Sequence, residues 1–309
     1  QLMHDYGEVR VAKPLWFESD PAVLGAPFFV MEKVAGRVAV SYPPYSREGW
    51  LVETAPADRR RIWEDAVRQL AAIQRVPVSQ AGFLELPGGP DLFNQEVQRW
   101  WRFIDWVDPQ GERALLRDTY QRLLAVGPAN RPEGIVWGDS RLGNMMIGAD
   151  CKVAAVMDWE QPGLGGALHD LGWWLWSDRN QTVAQGIAPL EGMGSRDETI
   201  ALWSEASGKS AVDVDWYEAF ACLKMECLGI RMMAIRGMEL RGKYTLFAEG
   251  ARGQLSKVLI ARYGLDRGRE PGDGATPVDV AGRDTSRREN RDQRGSGWRR
   301  SWMFPPIVF

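Results

Sequence analysis

Histidine and cysteine are scarce in this sequence. Its 309 residues include only 2 His and 3 Cys. A metal centre built on imidazoles, or a Ser-His-Asp hydrolase, therefore has very little to work with. The cysteines show no Cys-x-x-Cys spacing and are too few for a disulfide framework. Cys222 and Cys227 lie five residues apart in an apolar helical pattern, which predicts two buried thiols.

Long apolar runs and an excess of one charge are also missing. No stretch reaches the roughly 18 apolar residues that cross a bilayer, and the first residues lack the basic-then-apolar character of a signal peptide. Lys plus Arg total 38 against 41 for Asp plus Glu, a formal net charge of −3. This balance favours neither nucleic acid nor an anionic membrane surface as a partner. We therefore expect a cytoplasmic protein without nucleic-acid or membrane partners.

The remaining composition is that of an ordinary globular protein. Hydrophobic residues make up 45% and charged residues 26%, and the length suggests two packed lobes. Residue patterns predict a strand over 28–34, a hairpin over 145–147 and 153–157, and a helix that begins at Asp170. They also predict helices over 57–76, 93–107, 111–125, 215–236 and 248–262. The apolar period disappears from residue 264, and we predict a disordered tail over 264–309.

The segment with the most chemical information is a loop followed by a hairpin. Asp139 and Asn144 lie five residues apart in the loop, and the hairpin brings Asp158 back beside them. One carboxylate plus one amide oxygen suits Mg²⁺, because this ion keeps waters and takes other ligands from substrate phosphates. Asp139 is then free to accept the proton of an acceptor hydroxyl, as in kinase-type phosphoryl transfer. The alternative is that Asp139 and Asn144 are turn residues, favoured there by their side-chain hydrogen bonds.

This segment resembles the aminoglycoside phosphotransferase-like kinases, a family related to choline kinase. The resemblance lies in Trp-Gly-Asp-Ser-Arg-Leu-Gly-Asn over 137–144 and in Asp-Trp-Glu-Gln-Pro-Gly-Leu-Gly-Gly-Ala-Leu-His-Asp over 158–170. Within the family, the sequence is most similar to bacterial phosphotransferases related to the kinase-like domains of some acyl-CoA dehydrogenases. The similarity implies an α+β, bilobal, protein-kinase-like fold that binds ATP between its lobes. A small β-rich N-lobe and hinge would occupy 1–36, and a larger, mainly helical C-lobe 37–263.

The resemblance also implies roles for individual residues. Asp139 would be the catalytic base, with Asn144 and Asp158 as Mg²⁺ ligands. Asp170 would be the buried helix carboxylate that braces the catalytic loop. Arg141 takes a loop position suited to contact with phosphate or substrate, although a surface Arg is nearly as consistent with the pattern.

Two further implications concern the hinge and the start of the loop. The strand over 28–34 resembles the one that leads into the hinge between the lobes, so Met31, Glu32 and Val34 would meet the adenine of ATP. Trp137 stands where the family usually has the His of His-Gly-Asp. We expect its indole to fill the same space beneath the metal-binding segment.

The amino-terminal segment is shorter than the family requires. Only 27 residues precede Phe28, too few for a phosphate-covering hairpin, a strand Lys and a helix Glu. Lys13 imitates the strand Lys, but Pro14 follows it and no room remains for the helix. We expect Gln1 to Tyr6 to be the end of that helix and the sequence to be a piece of a longer protein. The alternative is a remnant that cannot hold the phosphates of ATP.

The sequence thus predicts an ATP- and Mg²⁺-dependent kinase that phosphorylates a hydroxyl of a small molecule. An aminoglycoside, a hydroxyacyl thioester and another alcohol remain open as acceptors, with a slight preference for an uncharged or apolar-bodied one. The alternatives are a non-catalytic kinase-like binding module and a phosphatase with Asp139 as nucleophile. Six tryptophans are predicted mainly as core, with one or two of them lining the acceptor pocket: Trp100, Trp101, Trp106, Trp173, Trp174 and Trp176. His169 is predicted as a packing or capping residue.

Overall fold

The computed structural model of the chain describes residues 1–86 and 91–237, with side chains to Met232. The chain divides into two units, Gln1–Arg231 and Met232–Phe309, and the second is described only over 232–237. The predicted helix over 248–262 and the tail over 264–309 lie outside the described residues. The boundaries between N-lobe, C-lobe and tail therefore stay predictions.

The chain begins with a short helix and an antiparallel hairpin. Helix α1, strand β1, helix α2 and strand β2 follow in order over Leu2–Tyr6, Pro14–Glu18, Pro21–Leu24 and Phe28–Met31. Asp20 caps α2 by accepting a hydrogen bond from the backbone N–H of Ala22 at 2.8 Å, and Pro21 occupies the first helical position. Strand β2 ends at Met31, before the predicted end at residue 34.

Five further strands are short: β3 (Arg37–Val38), β4 (Ile135–Val136), β5 (Met145–Ile147), β6 (Val153–Val156) and β7 (Gly163–Leu164). Strands β5 and β6 form the predicted hairpin, and β3 pairs with the other side of β5. Strand β4 pairs antiparallel with β7. A Cβ at Gly36 would lie 2.6 Å from the carbonyl oxygen of Ile147, so glycine allows the close approach to β5.

The rest of the described chain is mainly helical. The helices are α3 (Trp50–Glu53), α4 (Pro56–Ile73), α5 (Leu92–Val107), α6 (Ala114–Val126), α7 (Leu168–Gln181), α8 (Arg196–Ser207) and α9 (Val214–Gly237). They confirm the helices predicted over 57–76, 93–107, 111–125 and 215–236, with small shifts at the ends. Helix α8 was not predicted, although Ser195 and Glu198 form a capping box at its start.

The core lies between the helices. The apolar residues of α4 that predicted the helix, Ile62, Ala66, Leu70 and Ile73, are fully buried. Helix α4 packs against α8, and the core also contains the indoles of Trp100 and Trp203. No helix within residues 1–86 and 91–237 is long and apolar enough to cross a membrane.

The prediction for the two helical cysteines is half right. Cys227 is buried, but Cys222 is exposed, and both thiols are free. Five residues of α-helix turn through about 500°, so the two side chains point about 140° apart. One apolar face of α9 therefore cannot bury both of them.

Candidate active site

The loop between β4 and β5 carries the predicted catalytic carboxylate. It ends in a short 3₁₀ turn, Leu142–Asn144, that leads directly into β5. Asp139 Oδ2 accepts hydrogen bonds from Arg141 Nε at 2.9 Å and from Asn144 Nδ2 at 2.7 Å. The side chain of Asp139 is 14% exposed, so the carboxylate is well ordered by its neighbours and still reachable from solvent. The structure thus brings together Asp139, Arg141 and Asn144.

Asp170, in the first turn of α7, lies fully buried beneath this loop. Its two carboxylate oxygens accept the backbone N–H groups of Trp137 at 2.7 Å and Gly138 at 2.9 Å. Its carbonyl oxygen accepts the hydroxyl of Ser140 at 2.7 Å. Burial raises the pKa of Asp170 to about 6, and the two backbone N–H groups oppose that shift. These are the contacts of a carboxylate that braces a loop.

Gly138 allows the loop to turn above Asp170. Its φ is 102°, a left-handed conformation that side chains rarely adopt. A Cβ at this position would also lie 2.5 Å from the backbone carbonyl oxygen of Gln161. Glycine is therefore required both by the backbone conformation and by the close approach of the segment that follows Asp158.

The hairpin brings Asp158 back to the loop, as predicted. The backbone N–H of Met157 donates to the carbonyl oxygen of Asn144 at 2.9 Å. Asp158 has a φ of 61°, a costly conformation that persists only where the surrounding structure imposes it. Trp137 Nε1 donates to the carbonyl oxygens of Met157 at 2.9 Å and Asp158 at 3.2 Å. The buried indole therefore lies beneath this segment, in the space expected for the residue that replaces His.

Negative charge accumulates around Asp158. Burial and the charge of Asp139 raise the pKa of Asp158, while Arg141 opposes the shift. Burial and the charge of Asp158 likewise raise the pKa of Glu160. Both carboxylates would be stabilised in their ionised form by a nearby cation. Because Asn144 Nδ2 bonds to Asp139, the amide oxygen of Asn144 points away from that carboxylate and can act as a ligand.

The predicted hinge residues are not joined to this group. Met31 is exposed at the end of β2, Glu32 donates its backbone N–H to the carbonyl oxygen of Lys13 at 3.0 Å, and Val34 is half-buried. Across the described ranges, none of the three shares a hydrogen bond or ion pair with Asp139, Asn144 or Asp158. The side chain of Lys13 is exposed.

Three contacts at the site were not predicted from the sequence: Trp173 was expected in the core or the acceptor pocket, and Ser41 and Glu160 were given no role. Trp173 Nε1 donates to Asp139 Oδ1 at 2.9 Å, and Ser41 Oγ accepts from Arg141 Nη1 at 2.7 Å. Glu160 lies close enough for Asp158 to raise its pKa. Helical spacing could have indicated Trp173, which follows Asp170 by three residues and shares its face of α7. No local signal points to Ser41, because it reaches the site from a distant part of the chain.

Comparison with known proteins identifies the family to which this site belongs. Residues 1–206 of the 309 match the model of the phosphotransferase enzyme family, APH. The chain belongs to this family. The chain is 26% identical over 229 residues to acyl-CoA dehydrogenase family member 11 of Homo sapiens, covering 71% of this chain and 28% of that protein. The protein of the same name from Gallus gallus is 26% identical over 226 residues, covering 70% and 28%. The chain thus spans less than a third of these relatives.

Several solved structures share the fold of this chain. A provisionally named aminoglycoside phosphotransferase of Ralstonia eutropha JMP134 is 26% identical, with a TM-score of 0.60 over 77% of this chain and 74% of that one. The ethanolamine kinase of Plasmodium vivax is 10% identical, with a TM-score of 0.51 over 76% and 64%. An aminoglycoside-3′-phosphotransferase of type VIII is 13% identical, with a TM-score of 0.50 over 73% and 76%. These likenesses confirm the predicted α+β, protein-kinase-like fold.

Proposed function

We propose that this phosphotransferase moves the γ-phosphoryl group of ATP to a hydroxyl of a small molecule, with Asp139 as the catalytic base. The observation that carries the proposal is the Asp139 carboxylate, which Asn144 and Arg141 hold at Oδ2, near enough to Asp158 for the two charges to interact. A turn stabilised only by Asx hydrogen bonds would not need a third, strained Asp from a separate hairpin.

The chain's own residues account for the proton and for orientation. Asp139 accepts the proton of the acceptor hydroxyl while that oxygen forms a bond to the γ-phosphorus. The bond from this phosphorus to the bridging oxygen of ATP breaks, and ADP leaves with the electron pair. The proton passes from Asp139 to solvent after product release. Arg141 is fixed at one end of the carboxylate, where its remaining guanidinium N–H groups can contact the phosphate in transfer.

Asn144 and Asp158 would hold Mg²⁺ in this reaction. Within the described residues, no three His, Cys, Asp or Glu side chains form a metal site by themselves. A set of one amide and one carboxylate fits an ion that takes its remaining ligands from water and phosphates. When bound, Mg²⁺ supplies charge neutralisation at the phosphates. A cation at this position would offset the repulsion between the carboxylates of Asp158 and Asp139.

The places of two groups of residues in the fold support sites for the nucleotide and for the acceptor. The backbone at Met31, Glu32 and Val34 follows β2 and would meet the adenine of ATP. Trp176, whose ring centroid lies 5.1 Å from that of Trp173, offers a half-buried aromatic surface for the body of the acceptor. Because the curated relatives are named acyl-CoA dehydrogenases, a hydroxyacyl thioester belongs beside aminoglycosides and other alcohols in any acceptor screen.

The test is phosphoryl transfer by the full chain, with ATP and Mg²⁺, against a panel of these three acceptor classes. Asp139→Asn preserves shape and removes the base, so turnover should fall by at least about 10²-fold while nucleotide affinity stays within about twofold. Asp118→Asn, at an exposed position of α6, is the matched control. Turnover of Asp139→Asn equal to that of the control would overturn the proposal.

A second candidate is a non-catalytic kinase-like module that binds a nucleotide. It is favoured by the ion pairs of the described ranges, because none of them joins a Lys to a Glu as the phosphate-binding Lys of a kinase is joined. Thermal unfolding separates the candidates from each other. A shift with ATP that requires Mg²⁺, is lost in Asp158→Asn and accompanies turnover supports the kinase, whereas the same shift without turnover supports the module.

A further inference from the structure

Both oxygens of the Asp139 carboxylate accept hydrogen bonds, and the donors to the two oxygens come from different elements. Oδ2 bonds to Arg141 and Asn144 of its own loop. Oδ1 accepts the indole N–H of Trp173, from helix α7, at 2.9 Å. A carboxylate held at one oxygen can rotate about its terminal torsion, which has a broad energy minimum. A second donor on the other oxygen removes this freedom.

Trp173 is placed for this contact and not for contact with an acceptor. Its side chain is 3% exposed, so the ring lies inside the protein and only its N–H edge reaches the carboxylate. Asp170, three residues earlier in the same helix, accepts the backbone N–H groups of Trp137 and Gly138 in the loop. Helix α7 therefore holds the loop at its main chain through Asp170 and holds the reactive side chain through Trp173.

A buried cation lies against the Trp173 ring. Lys224 of α9 is 2% exposed, and its Nζ lies 4.7 Å from the centroid of the Trp173 ring and 4.9 Å from that of Trp100. Within the described residues Nζ has no hydrogen-bond partner, so the two ring faces are its nearest support. Burial lowers the pKa of Lys224, and the negative charge of Glu96 opposes the shift.

Glu96, on a third helix, is near enough for its negative charge to act on this cation. Its Oε1 accepts the indole N–H of Trp100 at 2.9 Å and bonds to Arg99 at 3.0 Å, and the side chain is fully buried. A cation against an indole withdraws electron density from the ring and strengthens its N–H as a donor, since polar groups in a low-dielectric interior polarise one another. The N–H that Lys224 strengthens is the one that meets Asp139.

We propose that Trp173, supported by Lys224, is a positioning residue that fixes the orientation of the Asp139 carboxylate for proton transfer. The inference rests on the proposed function, in which Asp139 is the base. A base must present one lone pair to the hydroxyl at hydrogen-bond distance, and loss of that orientation slows the chemical step. Because the Trp173 N–H touches neither ATP nor acceptor, its loss should lower kcat and leave both KM values unchanged.

The test compares Trp173→Phe with Trp203→Phe in the full chain. Both indoles are buried, but Trp203 Nε1 has no hydrogen-bond partner in the part of the chain that the structure describes, so the control loses the same atoms and no bond. We expect kcat of Trp173→Phe to fall by about 10- to 100-fold, the usual loss when an orienting contact is removed, with each KM within about twofold. Trp203→Phe should stay within about twofold of the parent.

Lys224→Met provides a second measurement in case Trp173→Phe does not fold. It keeps the Trp173 N–H and removes the charge behind it, so kcat should fall by about two- to tenfold with both KM values unchanged. The inference is overturned if Trp173→Phe matches Trp203→Phe, if its loss is in KM, or, where it is unfolded, if Lys224→Met keeps the parental kcat. Full turnover by Asp139→Asn would instead overturn the proposed function itself.

Discussion

The Asp170 carboxylate accepts the backbone N–H of Trp137 at 2.7 Å, so helix α7 holds the loop between β4 and β5 through its main chain. The other carboxylate oxygen accepts the N–H of Gly138 at 2.9 Å. The backbone of the loop is therefore held in place independently of the contacts that its side chains make with one another. An ionised carboxylate is well suited to this contact, because it has two acceptor oxygens and no donor.

Asp170→Asn should destabilise the fold. One acceptor oxygen becomes an NH₂ group that faces a backbone N–H, and a buried donor without an acceptor costs about 1–3 kcal/mol. We expect the free energy of unfolding in urea to fall by about 2 kcal/mol. Asp178→Asn in the same helix is the control, because Asp178 accepts the Tyr45 hydroxyl at 2.7 Å and an amide oxygen can do the same. Equal losses of unfolding free energy in the two variants would contradict a bracing role for Asp170.

Gly172 sets the distance between α7 and α9. A Cβ at Gly172 would lie 2.5 Å from the carbonyl carbon of Tyr217, so the backbone of α9 would have to shift. Gly172→Ala should lower the free energy of unfolding by about 1–3 kcal/mol. A Cβ at Gly229 of α9 would meet nothing within 4 Å. Gly229→Ala should therefore be neutral or stabilise by up to about 1 kcal/mol, because Ala is the better helix former. Similar stability of the two variants would show that the helices are not in close contact.

His169 should make the fold sensitive to acid. It packs against Phe93, Tyr217 and Phe220, which confirms its prediction as a packing residue. Burial lowers its pKa to about 3, while Glu96 opposes the shift and Lys224 and Arg99 add to it. The folded protein therefore keeps His169 neutral, while the unfolded chain takes up a proton below its ordinary pKa of about 6.5.

The resulting stability is fully present above about pH 6.5 and is lost as the pH falls toward 3. We expect this residue alone to cost about 1–2 kcal/mol between pH 6.5 and 5. His169→Phe keeps an aromatic ring and should flatten the pH dependence of the unfolding free energy in this range. Replacement of the other histidine, His4→Gln, should leave the curve unchanged. If the unfolding free energy of His169→Phe depends on pH as steeply as that of the parent protein, other groups cause the acid sensitivity.

Arg141 joins Asp139 to the segment before α3. Its Nε donates to Asp139 and its Nη1 donates to Ser41, two contacts that the guanidinium fork makes at once and a lysine cannot. We expect Arg141→Lys to lower kcat/KM by about 10- to 100-fold, the equivalent of one charge-assisted hydrogen bond. Ser41→Ala removes only the outer contact and should cost about two- to threefold. Steady-state kinetics measure which variant loses more kcat/KM. A larger loss in Ser41→Ala than in Arg141→Lys would rule out a direct role for Arg141.

Much of the fold was predictable because its signals are local. The four-, four- and three-residue spacing of Ile62, Ala66, Leu70 and Ile73 is found as the buried face of α4. The hairpin of β5 and β6 was predicted from two short apolar runs and a turn. Helix α8 lacks a strong apolar stripe, and only its capping box marks it.

The sequence by itself determined that Asp139, Asn144 and Asp158 lie near one another, because one loop and one hairpin of local geometry hold them. It also determined the fold family, since the motif and the hairpin occur in that order. Only the tertiary structure decided what surrounds the carboxylate. Ser41 meets Arg141 across 100 residues, and Lys224 lies against Trp173 from another helix. Such contacts depend on how elements distant in the chain pack together, and spacing within a segment carries no information about them.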